Sequence, residues 1–106
     1  MLPRPKLSDV PVGREARRAA RVPRVEAIFR EAAAAALDLL ELTELAWHDC
    51  YDEISPSEEI VDEILLCSEG DLGLLVTAAR LAVTDWRDLK MWAGSVRKKT
   101  MATGAA

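Results

Sequence analysis

The 49 residues between Arg30 and Arg80 contain thirteen carboxylates and no lysine or arginine. Charges of one sign repel one another, so a chain that folds through such a block needs solvation, a cation or a basic partner to offset the repulsion. Outside the block the sign reverses. Residues 1–24 carry seven basic and two acidic groups, and residues 97–106 carry three basic groups and none acidic. The net charge of −4 therefore hides a strongly acidic body between two basic ends.

Length and composition predict one small domain. A chain of 106 residues, half of them apolar, can bury a modest core, and burial against a partner can add to its stability. No run of residues is apolar enough to span a bilayer, and no apolar segment of a secretory signal follows the first basic residues. We therefore expect a cytoplasmic protein with no membrane partner. The bias towards alanine and arginine is typical of a GC-rich bacterial or phage genome.

Apolar residues recur at helical spacing through the body of the chain. From Pro23 to Tyr51 they fall on one side of a single long helix, and Pro23 suits its first turn. The sequence SPSE at 55–58 is typical of a helix start, with Ser55 as the N-cap and Glu58 closing a capping box. A second helix is therefore predicted after this loop, and its buried face is expected to hold Ile60, Val61, Ile64, Leu65 and Cys67.

The third predicted helix runs from about Leu72 to Ala93. Gly70 is expected to end the second helix, and Asp71 to cap the third. The third helix is apolar over most of its circumference, so it lies either at the centre of the fold or against another subunit. Gly94 is expected to end it.

The predicted fold class is all-α, with three main helices in an antiparallel bundle or hairpin array and a basic N-terminal arm. Residues 1–22 are predicted to be a basic, Pro/Arg-rich arm that is partly irregular, with room for a short helix over 13–22. Residues 23–96 form the helical domain, and residues 97–106 a basic, flexible tail.

Two pairs of carboxylates have the spacing of possible metal ligands. Glu41 and Glu44 lie three residues apart, as do Glu59 and Asp62, and carboxylate oxygens suit Mg²⁺ and Mn²⁺. The pattern Glu41-x-x-Glu44, fourteen residues, then Glu59-x-x-Asp62 is similar to the motif of all-α nucleoside-triphosphate pyrophosphohydrolases of the MazG type. The resemblance covers about 40–66.

That resemblance implies that the four carboxylates bind Mg²⁺ or Mn²⁺, which engages the phosphates of a nucleotide. The acidic stretch has no counterpart of the family's basic phosphate-binding residues. The residues alone favour another interpretation, a solvated acidic face, because the four carboxylates lie opposite the apolar side of their helices.

His48 is the only histidine, and Glu44 and Asp52 lie one turn to either side of it. It can be interpreted as a metal ligand or as a general base oriented by a carboxylate. The alternative, which we favour, is an exposed histidine whose charged form is stabilised by its acidic neighbours. Cys50 and Cys67 lack the close spacing of metal ligands, so both are expected to be reduced and mostly buried.

Four arginines share one face of the predicted arm: Arg14, Arg17, Arg18 and Arg21. They can be interpreted as contacts to nucleic-acid phosphates. However, the arm has no aromatic residue to stack on bases, and the acidic body would repel DNA. The favoured alternatives are a solvated arm, or an arm docked on the acidic face of this or a neighbouring subunit.

Two surfaces are predicted to contact proteins. An array of carboxylates on helices can recruit a partner with a basic surface. The residues of this acidic face are Glu41, Glu44, Asp52, Glu59, Asp62 and Glu63. The third helix is predicted to self-associate through Leu74, Leu81 and Trp92, whereas Trp47 and Trp86 are expected in the core.

The preferred interpretation is a small helical protein without enzymatic activity or cofactor. It acts through protein–protein contacts and forms a homo-oligomer. One alternative is a Mg²⁺- or Mn²⁺-dependent protein similar to nucleotide pyrophosphohydrolases, with Glu41, Glu44, Glu59 and Asp62 as ligands. Another is a nucleic-acid-associated regulator that uses the basic arm.

Overall fold

The computed structural model describes residues 13–104, and the side chains of residues 13–101. Within this range the chain is helical and contains no strand, so the all-α prediction is confirmed. The elements are α1 (Arg14–Phe29), a 3-10 turn (Arg30–Ala32), α2 (Ala33–Tyr51), α3 (Glu58–Ser68) and α4 (Leu72–Gly104). The predictions for residues 1–12 and 105–106 lie outside the described residues.

The helix predicted from Pro23 to Tyr51 is a hairpin of two helices, so this expectation was wrong. The chain leaves the helical conformation at Arg30, where φ is 54°. It then folds back, because Arg17 near the start of α1 reaches Glu44 in the second half of α2. No glycine or proline stands at this break, which explains why the sequence pattern did not indicate it.

Pro23 lies inside α1, not in a first turn. The predicted boundary after residue 22 therefore falls within a continuous helix. Proline in a helix interior costs roughly 3 kcal/mol, because it removes a hydrogen bond and crowds the preceding turn. Packing of α1 against α2 and α3 offsets this cost, since Arg17, Arg21, Val25 and Phe29 are all buried.

The N-cap of α3 is Ser57, whose side chain accepts a hydrogen bond from the backbone N–H of Ile60 at 3.2 Å. The predicted cap at Ser55 and the capping box through Glu58 are wrong, because both side chains bind residues of the hairpin. The predicted buried face of α3 is confirmed. Its members are Ile60, Val61, Ile64, Leu65 and Cys67. The last helical residue is Ser68, and Gly70 follows the C-cap Glu69 with φ of 78°, at the position where a glycine is expected to end a helix.

α4 turns back on itself at Asp85, whose backbone has φ −158° and ψ 96°. Beyond the turn, Arg97 Nη1 lies 3.6 Å from Glu63 Oε2 on α3. In a straight helix, residue 97 would lie roughly 38 Å along the axis from Leu72, whereas α3 is only roughly 16 Å long. The contact between Arg97 and Glu63 therefore requires the second part of α4 (86–104) to run back along α3.

Local hydrogen bonds support this turn. Asp85 Oδ1 accepts from the backbone N–H of Arg87 at 3.1 Å, as an N-cap does. The Tyr51 hydroxyl donates to the carbonyl of Val83 at 2.8 Å, just before the turn. The turn also shifts the helical phase, so Trp86 is 38% exposed and its predicted place in the core was wrong. Leu89 returns to the core and is fully buried.

The helix passes through Gly94 and continues to Gly104, so the predicted stop at Gly94 is not seen. A glycine inside a helix costs only about 1 kcal/mol relative to alanine. The residues after it include arginine, lysine, methionine and alanine, which all favour helix. One glycine was therefore a weak signal for a helix end.

Every helix contributes to one core, which includes Val25, Leu40, Trp47, Ile64 and Leu89. Trp47 is 5% exposed, as expected from its place on the apolar side of α2. Cys67 is buried, but Cys50 is exposed, which corrects the expectation that both are buried. Across residues 13–104, each helix is too short or too polar to cross a bilayer.

Candidate functional site

Helix α1 supplies cations that the acidic block lacks. Arg17 Nε donates to Glu44 Oε2 at 2.6 Å, and Arg21 Nη1 donates to the same oxygen at 2.8 Å. The three side chains are 8%, 2% and 3% exposed. Buried charges are stable only when they are paired and hydrogen-bonded, and here each charge faces an opposite one. This buried network holds α1 against α2.

The network continues to α3. Arg21 Nη2 donates to Glu58 Oε2 at 2.8 Å and to Ser55 Oγ at 3.0 Å. Ser55 Oγ in turn donates to Glu44 Oε2 at 3.0 Å. Arg24 donates to both Glu58 and Asp62 on α3. Helix α1 therefore holds two acidic helices through one connected set of charge-assisted hydrogen bonds.

The arginines keep the buried carboxylates ionised. Burial alone would raise the pKa of Glu44, but the hydrogen bond from Arg17 and the charge of Arg21 outweigh it and lower that pKa. Burial likewise opposes ionisation of Glu58, and hydrogen bonds from Arg21 and Arg24 lower its pKa below the usual range. A carboxylate with a lowered pKa is a weak general base at neutral pH, so this network is suited to structure more than to proton transfer.

The four predicted metal ligands do not converge. The structure gives each a different cation. The pairs are Glu41 with Arg18, Glu44 with Arg17, Glu59 with Lys90, and Asp62 with Arg24. Among the described residues, no three His, Cys, Asp or Glu side chains lie close enough together to hold a metal ion. The spacing in the sequence was therefore not enough to bring the two carboxylate pairs to one point.

Five of the six residues of the predicted acidic face are ion-paired inside the chain. Glu63, which is 4% exposed, accepts a hydrogen bond from Lys90 Nζ at 2.9 Å. Glu44 is buried as well, so neither residue lies on an exposed acidic face as predicted. Asp52 is exposed at the C-cap of α2 and forms no ion pair within residues 13–101. A basic partner at this face would have to displace the chain's own cations.

Three of the four arginines of the predicted arm are also ion-paired inside the chain. The guanidinium groups of Arg17 and Arg21 are buried, and Arg18 donates to Asp38 at 2.7 Å on α2. Arg14 remains exposed. Of the interpretations offered for this segment, docking on the acidic face of the same chain agrees with these ion pairs. The spacing of Arg17 and Arg21, one helical turn apart, was the signal in the sequence.

His48 is exposed, and its Nδ1 lies 3.3 Å from the backbone carbonyl of Glu53. Within the described part of the chain, neither Glu44 nor Asp52 hydrogen-bonds to the ring. The orienting carboxylate that a general base needs is therefore not in place, since Glu44 faces the interior.

The predicted self-association residues, Leu74, Leu81 and Trp92, are half-buried, and the last two pack against the core. The large apolar side chains that are exposed lie elsewhere on the surface. They are Ile28, Leu42, Leu45, Ile54, Val76, Trp86, Met91 and Met101. The two on α2, Leu42 and Leu45, lie outside the apolar side predicted for that segment, and the sequence analysis placed self-association only on the third helix.

Two of these side chains line an apolar groove of about 280 Å³ between α2 and α4. Leu42 on α2 is 60% exposed, and Val76 on α4 is 40% exposed. Arg80 is the one charged residue among the described residues that line the groove. A groove with exposed apolar walls and a polar rim is typical of a surface that another protein covers.

Comparison of the chain with protein-family models, with curated proteins and with solved structures found no match. The similarity to MazG-type pyrophosphohydrolases therefore rests on the spacing of four carboxylates. The functional argument rests on the surfaces described above.

Proposed function

We propose that this chain is a non-enzymatic helical protein that acts through protein–protein contacts and forms a homo-oligomer through α4 and the neighbouring face of α2. The main support is the groove between these helices, where Leu42 and Val76 are 60% and 40% exposed. Each Å² of apolar surface removed from water stabilises a complex by about 25 cal/mol, before the costs of association. A partner that fills this groove therefore gains from contacts that the monomer leaves unmade.

A second copy of the chain fits this surface. A twofold interface brings the same patch of both subunits together, so Leu42 of each copy can enter the groove of the other. Asp49 is exposed two turns after Leu42 on α2, and Arg80 is exposed at the groove. Each copy thus offers both charges of an ion pair across the interface.

The ion pairs of α1 make such an approach more favourable. Without them, the carboxylates of α2 would repel those of a second copy. With Glu41 and Glu44 held by arginines, the acidic charge near the groove is partly neutralised inside each subunit. The apolar contact then meets less electrostatic opposition.

The test is the molar mass of the protein in solution across a range of concentrations, by light scattering after size exclusion. We expect the native chain to be a dimer or larger at high concentration. Leu42→Lys and Val76→Lys should each shift it to the monomer, because each places a charge in the apolar contact. Met91→Lys is the matched control, since Met91 is 72% exposed on α4 and does not line the groove.

A monomer at every concentration would refute self-association. Dissociation by Leu74→Lys, with Leu42→Lys without effect, would move the interface to the patch of Leu74, Leu81 and Trp92. Circular dichroism of each variant separates loss of the interface from loss of the fold.

A further inference from the structure

A second concave site lies beside the turn in α4, on a different part of the surface from the groove. It is a cleft of about 490 Å³, within the range of small-molecule sites. Three of the five aromatic residues of the chain line it: Trp47, Tyr51 and Trp86. The charged residues that line it include Glu53 and Glu59. Aromatic rings and carboxylates lie together in this cleft, so a ligand that binds there has to suit both kinds of group.

The aromatic wall of the cleft is held in place. The rings of Trp47 and Tyr51 lie with centroids 4.4 Å apart at an angle of 49°. Trp47 Nε1 donates to Glu53 Oε1 at 2.9 Å, and the Tyr51 hydroxyl donates to the Val83 carbonyl at 2.8 Å. Because both rings are anchored by hydrogen bonds, the wall does not need to reorganise when a ligand binds. Trp86, 38% exposed, stands at the same cleft.

The charge of the cleft favours a cation. Two carboxylates, Glu53 and Glu59, line it against one ammonium group, that of Lys90. Lys90 is already engaged, since its Nζ donates to Glu59 and to Glu63 at 2.9 Å each. Within the described residues, the carboxylate of Glu53 accepts a hydrogen bond only from the neutral indole of Trp47, so no ion pair neutralises its charge.

We propose that this cleft binds a small organic cation through an alkylated ammonium group, seated on Trp86 and Tyr51 and near the carboxylate of Glu53. Ring faces attract cations, and aromatic cages take quaternary ammonium groups in this way. A primary ammonium is strongly hydrated and needs several acceptors when it leaves water. An alkylated ammonium has fewer or no N–H groups to satisfy, so the rings and a single free carboxylate suit it better.

The test is a titration of the full chain with choline chloride, at ionic strength held constant with sodium chloride. The indole N–H resonances of the three tryptophans are followed by NMR. We expect saturable shifts at Trp47 and Trp86, and none at Trp92, which does not line the cleft. The neutral isostere 3,3-dimethylbutan-1-ol has the same shape without the charge, and we expect its affinity to be at least about tenfold weaker.

Variants separate charge from shape. Glu53→Gln keeps an oxygen acceptor for the Trp47 indole and removes the charge, so it should weaken choline binding about fivefold without changing the fold. Trp86→Ala should weaken it further, and Trp86→Phe, which keeps a ring, should restore part of the loss. Trp92→Phe is the control and should bind as the native chain does.

Equal binding of choline and its neutral isostere would overturn the proposal in favour of an apolar cavity. So would shifts that rise linearly with concentration, or equal shifts at all three indoles. Unchanged binding in Glu53→Gln would remove the role given to its carboxylate and would equally overturn the site as stated.

Discussion

Arg21 and Glu44 meet in the interior of this protein, with Nη1 of the arginine 2.8 Å from Oε2 of the carboxylate and the two side chains 2% and 3% exposed. Arg17 binds the same oxygen at 2.6 Å. Burial of such charges is costly unless each is paired, so the three side chains fix how α1 lies on α2. The acidic block and the arginine-rich segment before it are therefore two parts of one folded unit.

Replacement of Glu44 by glutamine should destabilise the fold strongly. The variant leaves Arg17 and Arg21 buried without their shared counter-charge, and loss of one partner of a buried ion pair costs about 3–5 kcal/mol. That is a large fraction of the 5–15 kcal/mol typical of a whole domain. The free energy of unfolding in urea measures the loss.

The matched control for this variant is Asp38→Asn. Asp38 also forms an ion pair with an arginine, since Arg18 Nη1 lies 2.7 Å from its Oδ1, but the Asp38 side chain is 67% exposed. Exposed ion pairs contribute little, so unfolding should change only slightly. Equal destabilisation by the two variants would contradict the importance of burial.

Stability should fall in acid because of the same carboxylates. The pKa values of Glu44 and Glu58 are lower in the folded protein than the ordinary value, so the unfolded chain binds protons first as the pH falls. Their contribution is full above the unfolded pKa of about 4.3 and is lost as the pH falls through the lower folded pKa. Urea midpoints measured between about pH 6 and pH 3 should show this decline.

Glu58→Gln provides the control for the pH dependence, because its side chain is 39% exposed and the variant is better tolerated than one at Glu44. With one depressed carboxyl removed, the decline in stability between about pH 5 and pH 3 should become shallower. An unchanged slope would mean that Glu58 does not contribute to the acid sensitivity.

The turn in α4 should depend on the hydroxyl of Tyr51. It donates to the carbonyl of Val83 at 2.8 Å, where the break at Asp85 interrupts the helical hydrogen bonds. Tyr51→Phe removes this donor while keeping the ring against Trp47, and should cost about 1–2 kcal/mol. Urea unfolding measures the change.

Asp85→Ala removes the cap on the Arg87 N–H and should cost about 1 kcal/mol. If the two groups support the same turn, the double variant should lose less than the sum of the single variants. Additive losses would show that the hydroxyl and the cap act independently.

Periodicity in the sequence was enough to predict the all-α class and most of the core. The buried face of α3 and the place of Trp47 follow from apolar residues at helical spacing. The two breaks were missed for different reasons. Nothing in the residues around Arg30 disfavours a helix, whereas Asp85 is a residue type that favours N-caps and was a usable signal.

The burial of Glu44 and Glu63 was harder to predict. A carboxylate is rarely buried unless a cation pairs with it, and the cations hydrogen-bonded to these two are 23 or 27 residues away along the chain. Their pairing depends on how the hairpin and the turn in α4 fold. Local spacing therefore indicated an open acidic face where the structure has internal ion pairs.

Two glycines should respond in opposite ways to alanine. Gly70, between α3 and α4, has φ of +78°, and an added Cβ would lie 3.0 Å from the carbonyl oxygen of Ile28. Gly70→Ala therefore meets both an unfavourable backbone conformation and a close contact, and should cost about 1–2 kcal/mol. Gly94 lies inside α4, and an added Cβ there meets nothing within 4 Å.

Gly94→Ala should therefore stabilise the protein by about 0.5–1 kcal/mol, because alanine loses less backbone entropy in a helix. Urea unfolding of the two variants beside the native chain provides the measurement. Destabilisation by Gly94→Ala would mean that the helix stops at this residue, as the sequence alone suggested. Stabilisation would instead show that position 94 has a backbone conformation that alanine adopts without strain, as it does inside a helix.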